Sequence, residues 1–496
     1  MASKFALFLL TFSSCLFSYV VSDTCSAVSE SSAIKSVQNA LSIEYLNEQN
    51  DYWSTACGDL KPSCILYPNT AEEVAAIVKI LNQNNDTFVV KSGGHNPNKY
   101  FASINGGPLL STRDLNEVTF DASSMTVRVG PGNQWDEVQE ALKDSGVTVV
   151  GGRIGEVGVG GYVLGGGLSF LSAKYGWAAN NIVEFEVVLA NGTIVAASNT
   201  THTDLFKALK GGGNNYGIVT AYTMIAHPQG QVWGGNLVFD ASKTPQMLAA
   251  VRDFTEYNTD EDAGIIMTAE VTALGAVDLW IMFLFYDGPT PPADVFKNFT
   301  DIGPFVNSCK TQSYYDLLSG NNWAVVKGSR YTIATETTPL PNATVGAEVL
   351  GTFYDHWRNT TESVIAVAGI IGSVAFQPMP KMIARKAKEM GGDLIDLDDS
   401  VDRIIMEFDF SWVLLLDDMT MDAATQTLYG GMKTLIDNYV ESGLLPEAYT
   451  PLFMNDGYFR QDYFGRLRTQ DFARETASTY DPNGFWATRT GGFKIN

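Results

Sequence analysis

Lys91-Ser92-Gly93-Gly94-His95-Asn96-Pro97-Asn98 (KSGGHNPN, 91–98) follows the short apolar run TFVV and puts one of the chain's four histidines directly after two glycines. Glycine gives up more chain entropy on folding than any other residue, so pairs of it mark places where the backbone takes positive φ or lies close against another group. Three more clusters make the same demand: VGPGNQW (129–135), GGRIGEVGVGGYVLGGGLS (151–169) and LKGGGNNYGIVT (209–220). Their natural object is large and flat, or rich in phosphate.

Familiar glycine motifs do not account for them. A dinucleotide-binding GxGxxG needs a third spaced glycine, where GPGNQW ends in Trp135 and GVGGYV in Val163. A phosphate loop needs Lys and Ser or Thr after its last glycine, and GGNNYGIV supplies Ile218 and Val219. No HExxH, CxxC or GxSxG occurs, and His95, His202, His227 and His356 lack the spacing of zinc ligands, so no metal site is expected. The formal charge of -23 repels nucleic acid and anionic lipid, which excludes both as partners.

The 496 residues suffice for two or three domains. Residues 1–22 carry Lys4, an apolar run from Phe5 to Phe12 and a small-residue end, a pattern that predicts a cleaved signal peptide rather than a membrane anchor. A secreted or secretory-lumen protein follows. Its four remaining cysteines, Cys25, Cys57, Cys64 and Cys309, then pair in an oxidising compartment. The short loop CGDLKPSC favours Cys57 with Cys64 and leaves Cys25 for Cys309. Sequons at Asn85, Asn191, Asn199, Asn298, Asn342 and Asn359 agree with that route.

Apolar Val74, Ile77, Val78 and Leu81 at helical spacing, behind Thr70 and Glu73 as a capping box, predict a helix from about Thr70. Strands follow at TFVVK, MTVRV and VTVV, with a helix from Trp135 to Lys143 and a hairpin centred on Asn191-Gly192. The N-terminal part therefore reads as alternating α and β elements. Beyond His227-Pro228, long strand candidates (GIIMTAEVTA, VDLWIMFLFY, RIIMEFDFSWVLLL) and an amphipathic helix from Met421 to Glu441 predict an antiparallel sheet covered by helices, an α+β domain.

Five segments in order, CILYPNTAEEVAAIV (64–78), KSGGH (91–95), VGVGGYVLGGGLSFLSAKYGWAANNIVEFEVVLANG (157–192), DLFKALKGGGNNYGIVT (204–220) and YDPNGFWATRTGGFKI (480–495), resemble the berberine bridge enzyme-like group of the vanillyl-alcohol oxidase family, flavoproteins with a PCMH-type FAD-binding domain. The acidic, secreted-type cast is similar to that of fungal members. The resemblance implies an α+β fold with a two-lobed FAD-binding domain over 23–228, a substrate domain over 229–450 and a tail, 451–496, that returns to the first domain. It further implies that Ser92, Gly93 and Gly94 offer N–H groups to the FAD pyrophosphate, with Asn96 beside them, and that a neutral His95 imidazole bonds to the 8α carbon of the flavin. Gly160, Gly161, Gly165, Gly166 and Gly167 would let backbone lie against the cofactor, with Tyr175, Asn180 and Ile218 near it.

Two departures from the family pattern bear on chemistry. Where many members carry a second tethering cysteine stands Ile154, so a single covalent link through His95 is expected. Where members often carry Tyr-x-Asn, the chain has Phe453-Met454-Asn455, and a phenyl ring accepts no proton. Glu407 and Asp409, on one face of the strand IMEFDFSW, are the alternative bases, with Tyr449 and Tyr458 behind them; a third option is hydride loss with no dedicated base. The implied activity is an oxidase that passes hydride from a small alcohol, amine or aromatic or polyketide-type metabolite to FAD, with dioxygen as the final acceptor, in a monomeric enzyme. Alternatives are a carbohydrate oxidase, for which Trp280, Trp323 and Trp412 could stack on sugars, a flavin-holding cyclase or isomerase without net oxidation, and a binding protein with a vestigial fold.

Overall fold

The computed structural model describes residues 23–31, 34–272 and 275–495, so the expected signal peptide lies outside the described residues. The helix announced by Val74, Ile77, Val78 and Leu81 spans Ala71–Gln83. The Thr70 hydroxyl accepts from the Glu73 N–H at 3.2 Å, while the Glu73 carboxylate accepts from the Asn69 N–H, so the capping box closes one residue early. The buried stripe of this helix packs with Cys64, Leu66, Phe88 and Trp486.

Beside it, strands Cys64–Tyr67, Pro108–Ser111 and Val89–Lys91 run parallel in that spatial order, with Lys35–Val37 antiparallel at the edge. The alternating α and β reading holds for this lobe. The second lobe is a five-stranded antiparallel sheet ordered Val118–Asp121, Thr126–Val129, Ile218–Ile225, Ile182–Val188, Ile194–Ser198. Its hairpin turns through Gly192 at φ +75, with Val188 opposite Ile194. The run VTVV forms only the two-residue strand Val147–Thr148, paired with His227–Pro228. It stops there because Gly151 and Gly152 follow, pressed so closely on the Trp135 indole that a Cβ on either would lie within 2.4 Å of its ring atoms.

The large antiparallel sheet has Val232–Asp240, Asp278–Tyr286, Ala263–Thr272, Ile371–Met379, Arg403–Trp412 and Arg330–Pro339 as its main strands, in that spatial order. Helices Thr244–Tyr257, Gly346–Ser363 and Asp418–Glu441 bury their apolar residues against one face. The strand Arg403–Trp412 shows how the sequence divides the two faces. Ile404, Met406, Phe408, Phe410 and Trp412 enter the core under the helices, and the alternate residues, Glu407 and Asp409 among them, point the other way. The predicted strand continued to Leu416, but Val413–Leu416 are exposed. Asp418 ends the run by accepting from Trp412 Nε1 at 3.0 Å and from Arg330, which turns the chain into the long helix. The mixed α+β architecture with this antiparallel sheet is the one anticipated.

The tail folds back onto the first lobes. The Phe88 N–H donates to Arg489 O at 2.9 Å, Asn215 Nδ2 donates to Phe493 O at 2.9 Å, and Trp486 is buried beside Val74 and Ile77.

The disulfide expectation is corrected. Cys25 bonds to Cys64, and Cys57 and Cys309 are free thiols. Proximity in sequence misled because Cys57 sits in the short helix Thr55–Gly58 and directs its Sγ to Pro97 O at 3.4 Å, whereas Cys64 opens a strand beneath the helix Asp23–Ser31 that carries Cys25. Cys309 belongs to the other domain, next to Gly235. The bridge closes a loop with a sequence separation of 39 residues. Loop-closure entropy then predicts that Cys25→Ser lowers unfolding stability by about 4 kcal/mol, read from a lower urea midpoint, with a steeper slope because the unbridged unfolded chain exposes more surface.

Candidate active site

The strand Val89–Lys91 delivers the loop 92–98 from a rigid base. Lys91 is fully buried, ion-paired with Glu48 at 2.8 Å and lying over the Tyr52 ring. Two positions in the loop admit only glycine. Gly94 has φ +67, and a Cβ there would lie 2.6 Å from Asp51 O. Gly93 crosses Gly158 so closely that a Cβ on either would meet the other's backbone at 2.5–2.6 Å. Ser92 knits the crossing together: its Oγ donates to Pro131 O at 2.5 Å and accepts from the Gly160 N–H at 3.2 Å. Asn98 fastens the far end of the loop to the tail, donating to Gly457 O at 2.9 Å and accepting from the Phe459 N–H at 3.1 Å.

These loops form one wall of a cavity of about 480 Å³. Ser92, Gly93, Gly94, His95, Asn96, Gly160, Gly161, Ile154 and Ile218 all line it. Gly161 opens onto it, since a Cβ there would meet nothing within 4 Å. The opposite wall is the free face of the large sheet, with Ile266, Ile281, Phe283 and Ile333 as its apolar part. His95 is half-buried with its imidazole stacked on Trp53, centroids 4.7 Å apart and planes within 6°. Burial, helped by the Lys327 charge, lowers its pKa to about 4, so the ring is neutral at physiological pH.

Glu407 and Asp409 face the same cavity from the sheet. In register, Asp409 lies opposite Ser373, which lies opposite Glu270; Glu407 lies opposite Ala375. Burial, then the charge of Asp409, pushes Glu407 up to about 8; burial, then the charge of Asp456, does the same to Asp409. Asp409 Oδ1 is buried with no hydrogen-bond partner. Asp456 is raised well above the usual carboxylate range, by burial and by Glu407. Gln377 joins the group: its Nε2 donates to Asp456 Oδ2 at 2.8 Å and to Glu407 Oε2 at 3.2 Å, and its Oε1 accepts from the Arg153 guanidinium. At neutral pH Glu407 and Asp409 mostly hold protons, and each can exchange one near pH 8.

Glu407 titrates near its ordinary value when unfolded and near 8 when folded, so from pH 4 to pH 8 the folded chain keeps a proton that the unfolded chain releases. Its contribution to stability falls as pH rises through that window. The melting temperature of Glu407→Gln should therefore rise relative to wild type between pH 5 and pH 8, the opposite of what a surface carboxylate in a salt bridge would give.

Other expected site residues lie elsewhere. Tyr175 stacks on His227 at 3.7 Å, and Asn180 caps a turn at the Trp177 N–H while donating to Asp393, both away from the cavity wall. Tyr449 donates to Ile395 O at 2.9 Å and Tyr458 to Asp422 at 2.6 Å, which places neither hydroxyl at the cavity. Gly165, Gly166 and Gly167 sit behind the wall. Gly165 makes room for Asn455, whose Oδ1 accepts from the Gly167 N–H at 3.1 Å, and Gly166 and Gly167 take positive φ to bring that about. Asn455 and Phe453 do line the cavity, Phe453 with its ring stacked on Trp177. Sequence reasoning missed Asp456, Gln377, Arg153, Glu270 and Trp53. A charged residue inside the glycine run GGRIG and an acid next to Asn455 were the available signals for two of them; Trp53 offered none. Among the described residues no cluster of three or more His, Cys, Asp or Glu side chains could hold a metal ion, and no helix is long and apolar enough to cross a membrane.

A floor of side-chain-free backbone, a neutral histidine at its edge and a largely apolar opposite wall suit a flat, phosphate-bearing cofactor. Residues 62–198 match the FAD binding domain family. The fold matches that of berberine bridge enzyme from Eschscholzia californica with a TM-score of 0.75 over 95% of this chain and 99% of that one, at 17% identity. An uncharacterized FAD-linked oxidoreductase of Arthroderma benhamiae is 44% identical over 92% of this chain and 91% of its own length. This chain belongs to the berberine bridge enzyme-like FAD-linked oxidoreductases. Another member, FAD-dependent monooxygenase drtC of Aspergillus calidoustus, is 30% identical over 96% of this chain and 91% of its own length. In this FAD-linked oxidoreductase Gly93, Gly158, Gly160 and Gly161 form one side of the cavity, and the free face of the large sheet forms the other.

Proposed function

We propose that this chain is an oxidase of secondary metabolism that takes hydride from a small, largely apolar alcohol, amine or aromatic or polyketide-type substrate, with FAD bonded covalently through His95 alone. The carrying observation is that His95 and the Glu407–Asp409 pair face one cavity from opposite sides. Bound FAD supplies a two-electron acceptor that dioxygen can reoxidise to give hydrogen peroxide. The backbone of 92–94 and 158–161 holds the cofactor. The neutral His95 has a lone pair for a bond to carbon, and Ile154 has none, which supports a single link.

Glu407 in its ionised form, which grows as pH approaches about 8 and its proton passes to solvent, accepts the proton of a substrate O–H or N–H as hydride leaves the adjacent carbon. Asp409 keeps its affinity for that proton high, and Gln377 holds Glu407 and Asp456 in place. The apolar residues Ile266, Ile281, Phe283 and Ile333 exclude water and orient the substrate. Phe453 adds a ring and no proton acceptor.

A redox-neutral cyclase is the second reading, favoured by Phe453 where a hydroxyl is usual. A sugar oxidase is less favoured, because Trp280 and Trp412 are buried in the core under the helices and Trp323 alone of the three lines the cavity. Anaerobic mixing with candidate metabolites separates these readings. The oxidase bleaches its visible absorbance and, on admission of air, yields one peroxide per turnover with no oxygen-18 from labelled dioxygen in the product. Product formed with an unchanged spectrum would establish the cyclase, and label in the product would establish a monooxygenase, the activity in the name of the Aspergillus relative. For location we propose the secretory pathway, supported by the Cys25–Cys64 bridge and by the exposure of all six sequon asparagines.

A further inference from the structure

We propose that Trp53 is the positioning residue for covalent flavin attachment: it fixes the plane of the His95 imidazole so that one ring nitrogen faces the cofactor. This rests on His95 being the attachment point. Among the described residues no hydrogen bond holds either His95 nitrogen, so the usual means of orienting a reactive imidazole is missing here. In its place the indole lies 4.7 Å away and within 6° of parallel, which opposes the turn about Cβ–Cγ that would swing the imidazole out of that plane. Trp53 is itself fixed. Its backbone N–H donates to Gly94 O at 3.1 Å, inside the same loop as His95, and its ring stacks at 4.3 Å on Tyr331 of the large sheet. Tyr331 in turn is tied down by its hydroxyl, which donates to Val326 O at 2.6 Å, and by its N–H, which donates to Ser54 Oγ at 3.0 Å.

The indole contributes a surface rather than a hydrogen bond, since Trp53 Nε1 is buried without a partner. A flat ring parallel to the imidazole restricts tilt, which is the freedom that decides whether the nitrogen lone pair points along the line of attack. In the attachment step the imidazole nitrogen forms a C–N bond to the 8α carbon. One proton leaves that carbon and one leaves the imidazole, and two electrons stay on the isoalloxazine ring until dioxygen removes them, with both protons, as hydrogen peroxide.

The test compares full-length Trp53→Phe, Trp53→Leu and Trp53→Met with wild type and His95→Ala, each produced flavin-depleted and then incubated with FAD in air. Reversible FAD binding is read from flavin fluorescence. Covalent incorporation is read from the flavin that stays with acid-precipitated protein over time. Trp53→Leu and Trp53→Met should bind FAD reversibly but incorporate it about tenfold more slowly or worse, the order of an aromatic stacking energy. Trp53→Phe, which keeps a ring, should stay within about threefold of wild type. Wild-type incorporation rates in the Leu or Met variant would overturn the proposal. Failure of both to fold or to bind FAD while Trp53→Phe does so would make Trp53 a residue of the fold and overturn it as well. Covalent flavin in His95→Ala would instead refute the attachment reading itself, whatever the Trp53 variants do.

Discussion

Glu407→Gln should lower the anaerobic rate constant for flavin reduction by about 10²–10⁴, the range over which a positioned general base contributes. The amide keeps the shape of the side chain and its hydrogen-bonding reach to Gln377 but accepts no proton. The pH profile gives the sharper reading. With the carboxyl held at about 8 by burial and by Asp409, reduction by the wild type should climb with pH and level off above about 8, where the base is ionised. In Glu407→Gln that rise should disappear. Asp409→Asn removes the like charge that holds Glu407 up, so the rise should move to lower pH while the plateau rate changes less. A Glu407→Gln enzyme with wild-type rate and an unchanged profile would assign the proton to another group.

The glycine floor makes the second large prediction, and two neighbouring positions should fail in different ways. At Gly158 a side chain would collide with the Gly93 backbone N at 2.5 Å and Cα at 2.7 Å, and backbone cannot move aside as a side-chain end can. Gly158→Val should therefore separate the two loops, lower the melting temperature and abolish FAD binding together. At Gly161 nothing in the protein lies within 4 Å of the place a Cβ would take, and the residue sits in the short helix Val159–Leu164 that lines the cavity. Gly161→Leu should leave the apoprotein as stable as wild type or more so, because glycine is the poorer helix former by about 1 kcal/mol. The same substitution fills cofactor space, so its affinity for FAD should fall at least about a hundredfold, the cost of overpacking a close-fitting site. Titration of flavin fluorescence together with a thermal melt of the apoprotein distinguishes the two outcomes.

Much of this was legible from the chain because the signals were local and redundant. The stripe Val74, Ile77, Val78 and Leu81 had only to find any apolar neighbour to become a helix, and the alternation in IMEFDFSW set Glu407 and Asp409 on one face whatever the partner strands were. Ser92, Gly93, Gly94 and His95 were legible for another reason: glycines that must approach other backbone leave their mark in sequence. What stayed hidden depended on residues distant in the chain. Asp456 and Gln377 are separated by 79 residues and Arg153 and Gln377 by 224, and their meeting is set by how the tail and the second domain close on the first. Trp53 gives no sign in sequence that it lies flat on His95. The cysteine pairing failed in the same way. Seven positions separate Cys57 from Cys64, yet the strand that starts at Cys64 carries its sulfur to a helix whose last residue is Ser31. Gly165, Gly166 and Gly167 were read as backbone lying against the cofactor, but the groups that press on them are Asn455, Ile395 and Tyr162.

The central claim, one bond between His95 and a flavin in a glycine-floored cavity, is tested most directly on the mature wild-type protein. It should be yellow, keep its colour in the pellet after acid precipitation, and give on digestion a single flavin-bearing peptide, the one that contains His95, with the peptide containing Ile154 unmodified. A colourless protein, or flavin released entirely into the acid supernatant, would contradict the account.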